Sequence, residues 1–325
     1  MILAQFPLVS VVILNYNGLH YMGEGLRDCL DSVLKTNYPN LEIIFVDNGS
    51  SDGSADFVRN NYNTQITIVK NKANLGFAEG FNRGIRVSKG KYVALLSNDM
   101  TVHPNWLSSI TQLMEKDRKI GLAGFKRYSY ERKNLLDGIG GNLHLCGRVF
   151  LVGTFEIDRG QYDNIKEDLD YIGGAMVISR EVLQEVGPFD AEYVIFSEDC
   201  DLCYRIRKRD YKTVYVPDAI VWHKGHSTLN GMDRIGTHIY YMAERSRIRF
   251  ACIHFVRMRV LSTFLIDVAW LFITNPVWKK ELLRAYWWNL KNIGVTIKRR
   301  LQYGPSPPYS CRFPVIRFRQ GPEKH

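Results

Sequence analysis

Short apolar runs rich in β-branched residues alternate with segments of helical spacing over the first hundred residues. Val9 to Leu14 ends at Asn15-Tyr16-Asn17-Gly18, after which Leu26, Cys29, Leu30 and Val33 recur at helical intervals. Leu41 to Val46 stops at Asp47-Asn48-Gly49-Ser50, Ile66 to Val69 makes a third run, and a helix-like stretch to Ile85 leads into Tyr92 to Leu96. Strands separated by helices need crossover connections, which predicts an α/β fold with a mainly parallel central sheet. Such sheets bind ligands beyond the carboxyl ends of their strands. Asn15, Asp47 and Ser97-Asn98-Asp99 all fall there.

Further along, Trp106, Leu107, Ile110, Leu113 and Met114 share one helical face behind Pro104. Residues 138 to 169 are Gly-rich and polar without a clear period, which predicts only strands and loops. Ala175 to Ile178 reads as a strand and Glu181 to Val186 as a short helix. Ser197 is placed to cap a helix starting at Glu198, where carboxylates favour the positive end of the helix dipole. Glu198, Asp199 and Asp201 are more acids than capping requires.

The chain has 325 residues, 46% of them hydrophobic and 12% aromatic, enough for a substantial core. Its net charge of +10 is uneven: residues 245 to 325 hold sixteen Lys and Arg against three acids, so the remainder is slightly acidic. Val260 to Val277 is apolar but short for a bilayer span, carries Asp267 and is broken by Asn275-Pro276. Trp270, Trp278, Trp287 and Trp288 lie among Lys279, Lys280, Arg284 and Lys291, which suits a segment resting on an anionic membrane. A helical pair packed on the body of the protein, or on a second subunit of a homo-oligomer, suits them equally. The basic residues lie outside the strand-end region and form no known nucleic-acid module, which argues against a nucleic-acid partner. Six scattered cysteines and no leader pattern point to a reducing cytoplasmic setting. Cys200-Asp201-Leu202-Cys203 reads as one buried and one exposed face of a helix, in preference to a redox or zinc site.

These residues, taken in order, resemble the family 2 inverting glycosyltransferases, in particular the rhamnosyltransferase-like branch with a GT-A fold. The resemblance runs through Val12-Ile13-Leu14-Asn15-Tyr16-Asn17-Gly18, Val46-Asp47-Asn48-Gly49-Ser50-Ser51-Asp52-Gly53-Ser54, Asn74-Leu75-Gly76-Phe77-Ala78, Gly80-Phe81-Asn82-Arg83-Gly84 and Leu95-Leu96-Ser97-Asn98-Asp99. It continues in Gly173-Gly174-Ala175, Gly187-Pro188-Phe189-Asp190, Glu198-Asp199-Cys200-Asp201-Leu202-Cys203 and Trp222-His223, covering roughly residues 9 to 226. It implies a catalytic domain over 1–235, with a nucleotide-binding half over 1–125 and an acceptor-binding half over 126–235. Residues 236–325 then form a C-terminal helical, basic and aromatic extension.

By the same resemblance Asn15, Tyr16, Asn17, Asp47 and Asn98 line the pocket of a nucleotide diphosphate sugar, while Asn74, Gly76 and Asn82 shape the wall beside its pyrophosphate. Asp99 and His223 hold a divalent cation, Mn²⁺ or Mg²⁺, with His226 as a competing ligand. The family's DxD pattern falls on Ser97-Asn98-Asp99, so its first acid is a serine here. Inversion needs one base to deprotonate the attacking hydroxyl; Asp199 takes that role, with Glu198 as substitute, and Gly173 and Gly174 admit the acceptor. The acceptor is then a growing or lipid-linked glycan in cell-surface polysaccharide or glycoconjugate assembly, met at the inner face of the membrane. A catalytically silent sugar-nucleotide-binding subunit is the alternative, and intact Asp99 and Asp199 argue against it.

Overall fold

The computed structural model describes residues 6–62, 64–164, 169–225 and 235–304. From the N-terminus the elements are β1 (Val9–Asn15), α1 (Gly18–Met22), α2 (Glu24–Leu34), β2 (Leu41–Asp47), α3 (Ser54–Tyr62), β3 (Ile66–Lys70), α4 (Gly76–Val87) and β4 (Tyr92–Ser97). Next come β5 (Met100–Val102), α5 (Trp106–Lys116), β6 (Ile120–Ser129), β7 (Leu136–Gly138), β8 (Gly140–Leu143), β9 (Val149–Val152), β10 (Met176–Ser179) and α6 (Arg180–Val186). A 3₁₀ turn at Ala191–Tyr193 precedes α7 (Glu198–Arg207) and β11 (Lys212–His223); α8 (Ile235–His254), α9 (Arg257–Ile273), α10 (Pro276–Lys291) and α11 (Ile293–Tyr303) follow.

Among the described residues the central sheet runs β3-β2-β1-β4-β10-β6-β11-β5, with β7 added on β6. The first four strands are parallel, as the alternation predicts, and β6 pairs parallel with β11. β10 enters antiparallel between β4 and β6, making the sheet mixed. Both faces are covered, so strands such as Val9–Asn15 are buried at every residue. On one face Leu26, Cys29, Leu30 and Val33 of α2 pack with Trp106, Leu107, Ile110 and Met114 of α5; each large side chain buried this way contributes about 1.5–3 kcal/mol. On the other, Ala78, Phe81 and Ile85 of α4 pack over Val12, Leu14, Ile44 and Val46. A Cβ on Gly84 would come within 2.2 Å of Val12 Cγ1 and one on Gly80 within 2.6 Å of Leu14 Cδ1. Glycine there lets α4 ride close on the sheet.

The two longest strands fall where the sequence pattern is silent. β6 contains Gly121 and Gly124, ordinarily strand-weakening, but a Cβ on Gly124 would meet Ile172 Cγ2 at 2.5 Å. β11 contains Pro217 and shifts register between Val216 and Ile220, so its pattern is interrupted by a bulge.

The C-terminal helices are joined to this body by buried polar contacts. Arg249 pairs with Asp190 at 2.9 Å and His254 Nε2 lies 2.6 Å from Asp201 Oδ1. Arg247 bridges Glu244 and Asp267 within the helices and donates to the Cys146 carbonyl of the body at 2.7 Å. Arg245, Arg247 and Arg249 are all buried, so part of the basic charge that the sequence assigns to a surface is internal. No helix among the described residues is long and apolar enough to cross a membrane.

Candidate active site

The ends of β1, β2 and β4 meet at one edge. Asn98 Nδ2 donates to Asn15 Oδ1 at 2.7 Å, and Asn15 Nδ2 donates to Ser50 Oγ at 3.2 Å and to Asp47 Oδ1 at 3.4 Å. Asn17, in the left-handed region at φ 50°, accepts from Ser51 N at 2.8 Å and donates its own N–H to Ser50 Oγ at 2.9 Å. Tyr16 is half-buried beside them. This ties the loop after β1 to the loop after β2, while Asp47 Oδ2 stays buried without a partner.

Asn74 and Gly76 form a second layer. Asn48 Nδ2 donates to Asn74 Oδ1 and to Gly76 O, both at 3.0 Å, so a side chain not singled out in the sequence pins that loop. Gly76 has φ 80° and faces Val194, whose carbonyl accepts from Phe77 N at 2.6 Å. Asn82 Oδ1 accepts from Phe189 N and its Nδ2 donates to Phe189 O, both at 3.0 Å, so its carboxamide clamps α4 to the Phe189 turn.

Asp99 lies just past β4, and antiparallel pairing of β11 with β5 sets His223 opposite Met100. His223 Nε2 is 3.3 Å from Asp99 Oδ2, and its Nδ1 is 3.0 Å from Asp137 Oδ2. Burial alone would lower the imidazole pKa, but Asp137 and Asp99 outweigh it and raise the value to about 9. Asp137 also accepts from Arg127 Nε at 2.7 Å, and Arg127 donates to the Gly173 carbonyl. Burial opposes ionisation of Asp137, yet His223 and Arg127 hold its carboxyl well below the usual range.

Gly173 leads to Asp199: a Cβ there would fall 2.3 Å from Asp199 Oδ2 and 2.0 Å from the Tyr171 hydroxyl. Gly174 lies against Arg127 and Met100. Asp99, His223, Asp137, Arg127, Gly173 and Asp199 thus form one continuous set of contacts from the end of β4 to the start of α7. Asp199 is buried and accepts from Cys200 N at 2.8 Å. Burial raises its pKa to about 6, despite the opposing Tyr171 hydroxyl, Cys200 N–H and Arg127. Glu198, also buried, is pushed well above the carboxylate range by burial and then by Asp199. The neighbours therefore separate in proton affinity, Asp199 being the one ready to ionise near neutrality.

Ser197 does not cap α7. It sits at φ 62° with no side-chain cap bond, and Val194 and Phe196 also have positive φ. Left-handed backbone is costly for a β-branched residue such as Val194, and it turns the chain sharply into α7. Cys200 and Cys203 are both buried and unpaired, because nearly all of α7 is internal. The expected exposed face is absent. Asp201 points away from Asp199, held by Arg205 Nε at 2.8 Å and His254 Nε2 at 2.6 Å. His226 lies outside the described residues. Arg127, Asp137 and Tyr171 carry no motif; only the pairing of β7 with β6 brings Asp137 under His223.

The donors present suit a divalent cation. Asp99 Oδ1 is buried without a partner, and a histidine whose Nδ1 is held by a carboxylate presents Nε2 in a fixed orientation. No cluster of three or more His, Cys, Asp or Glu arranged for a metal occurs among the described residues. Asp99 and His223 would therefore be two protein ligands, leaving positions for ligand oxygens.

The model of glycosyl transferase family 2 matches residues 10–187, more than half of the chain. The protein belongs to that family. It is 33% identical to the glycosyltransferase GlyG of Streptococcus pneumoniae over 47% of this chain and 48% of that one. It is 25% identical to the poly-β-1,6-N-acetyl-D-glucosamine synthase of Staphylococcus epidermidis over 70% of this chain and 52% of that one. The chain thus spans about half the length of these curated relatives. Its fold is similar to that of the mannosyltransferase PcManGT from Pyrobaculum calidifontis, solved in complex with GDP-Man and Mn²⁺. That match has a TM-score of 0.55 and 17% identity over 92% of this chain and 83% of that one.

Proposed function

We propose that this chain transfers a sugar, with inversion, from a nucleotide diphosphate sugar to an acceptor hydroxyl, and that Asp199 is the base. The observation that carries this is the unbroken contact series from Asp99 to Asp199, with a carboxylate at each end and buried unpartnered oxygens on Asp47 and Asp99. Asn15, Asn17, Asn98 and Asp47 form the edge that receives the nucleoside, with Tyr16 beside it and Asn74 and Gly76 behind. Asp99 and His223 hold a divalent cation, which when bound stabilises the charge that develops on a departing diphosphate. Asp137 fixes the His223 ring, and Arg127 couples that end to the Gly173 carbonyl. Asp199 takes the acceptor proton as the hydroxyl attacks opposite the leaving group.

Two results test these roles. Asp99→Ala weakens donor binding only when Mn²⁺ is present; equal Mn²⁺-dependent affinity in calorimetry would remove Asp99 as a ligand. A base with a pKa of about 6 works when deprotonated, so turnover is full above that pH and falls as pH drops through it. A rate unchanged between pH 5 and 7.5 would exclude Asp199. Thermal shifts with a panel of nucleotide sugars, with and without Mn²⁺, identify the donor, whose binding raises the unfolding temperature.

The S. epidermidis relative is named for polysaccharide synthesis, which supports a glycan or lipid-linked acceptor. Exposed Trp270 and Trp287 on α9 and α10, beside the basic residues of α10, support peripheral contact of this region with the inner face of the cell membrane.

A further inference from the structure

Away from the strand ends, α8, α9 and α10 enclose a cavity of about 340 Å³, within the roughly 300–1,000 Å³ range of small-molecule sites. Ile248, Ala251 and Cys252 of α8, Val260 and Phe264 of α9 and Tyr286 of α10 line it. Its polar side chains are turned elsewhere. The Tyr286 hydroxyl donates to Asp267 Oδ2 at 2.6 Å, leaving its ring edge-to-face with Phe264, and Thr263 Oγ1 donates to the Arg259 carbonyl at 2.9 Å. Water held there would find few partners, whereas a hydrocarbon group needs none.

The cavity opens to the surface, because Leu261 and Phe264 line it and are still 49% and 48% exposed. Met258 and Leu265 beside them on α9 are exposed as well. Arg257 also lines it, is exposed, and makes no hydrogen bond or ion pair among the described residues. The other arginines of this region differ: Arg247 and Arg249 are buried in ion pairs, and Arg259 and Arg300 are bound to backbone carbonyls. An apolar cavity with a free guanidinium at its rim is complementary to an alkyl or isoprenoid chain ending in an anionic group.

We infer that this cavity binds the hydrocarbon chain of a membrane lipid, with Arg257 pairing the phosphate of its headgroup. At about 30 Å³ per water-sized group, the volume admits roughly eleven such groups, so one chain segment enters and the rest stays in the bilayer. The inference deepens the peripheral-membrane part of the proposed function and rests on it only for the source of the lipid.

Cys252 provides the readout. Cys29, Cys146, Cys200 and Cys203 are buried and Cys252 is partly exposed, so in the full chain carrying Cys311→Ser a maleimide reports on Cys252. Dodecyl phosphate is expected to slow its alkylation several-fold, dodecyl maltoside less, and inorganic phosphate not at all. Arg257→Glu is expected to weaken dodecyl phosphate by about fivefold or more and to leave dodecyl maltoside unchanged. Alkylation indifferent to dodecyl phosphate, or equal protection in Arg257→Glu, overturns the inference. Sedimentation with vesicles of phosphatidylcholine and phosphatidylglycerol separates the two readings. Vesicle binding without Cys252 protection sinks the cavity and spares the peripheral contact, and protection without vesicle binding does the reverse.

Discussion

Asp199→Asn lowers turnover by about 10²–10⁴-fold while leaving donor affinity nearly unchanged, the loss expected when a general base is removed. The amide keeps the shape of the carboxylate and its acceptor oxygen for Cys200 N, so the first turn of α7 is undisturbed. What disappears is the proton acceptor beside Gly173. Neighbouring Glu198 does not replace it, because burial, the largest influence on its carboxyl, opposes ionisation there. Steady-state rates together with calorimetric donor titration separate the two parameters. Normal turnover by the variant would refute the assignment, and parallel loss of binding would move Asp199 into the donor site.

Asp201→Ala destabilises the fold by about 3–5 kcal/mol, the usual cost of stranding the partner of a buried ion pair. Asp201 is fully buried, with Arg205 and His254 almost equally so. Burial disfavours its charge, but Arg205 and His254 overcome this and hold the carboxyl well below its ordinary range. A depressed carboxyl stabilises the fold above its unfolded pKa and loses that contribution as pH falls towards the folded value. The variant is therefore distinguished at neutral pH and converges on the wild type in acid. Arg205 would keep its bonds to the carbonyls of Val186, Gly187 and Pro188 without a countercharge. Because Asp201 ties α7 to α8, the same substitution loosens the helix that presents Asp199. Urea unfolding at neutral pH reads the effect as a lower midpoint; an unchanged midpoint would show that the pair is dispensable.

The strand-end part of the site was legible because a crossover sheet collects its loops at one edge, so Asn15, Asp47 and Asp99 converge wherever such alternation occurs. The pairing partners were not. Arg127 lies on a strand whose glycines, required by Ile172 and Ile206, mimic a loop. Asp137 sits at the edge of the segment without period and reaches His223 through a three-residue strand. Composition could not separate Arg247 and Arg249 of α8, which neutralise buried acids, from Arg257, which faces solvent. Ser197 shows a local preference overridden: positive φ at Val194, Phe196 and Ser197 turns the chain into α7, and the Ser197 hydroxyl makes no cap bond to the N–H groups of that helix.

The reading of the site requires Asp99 and His223 to grip the diphosphate at one end of the contact series and Asp199 to serve the acceptor at the other. Anomalous scattering from crystals grown with Mn²⁺ and a nucleoside diphosphate tests this directly. The expected result is one manganese peak bound by Asp99 and His223 and by oxygens of both phosphates, with Asp199 facing the space left for the sugar. A peak elsewhere, or a diphosphate bound away from Asp99, would contradict the account.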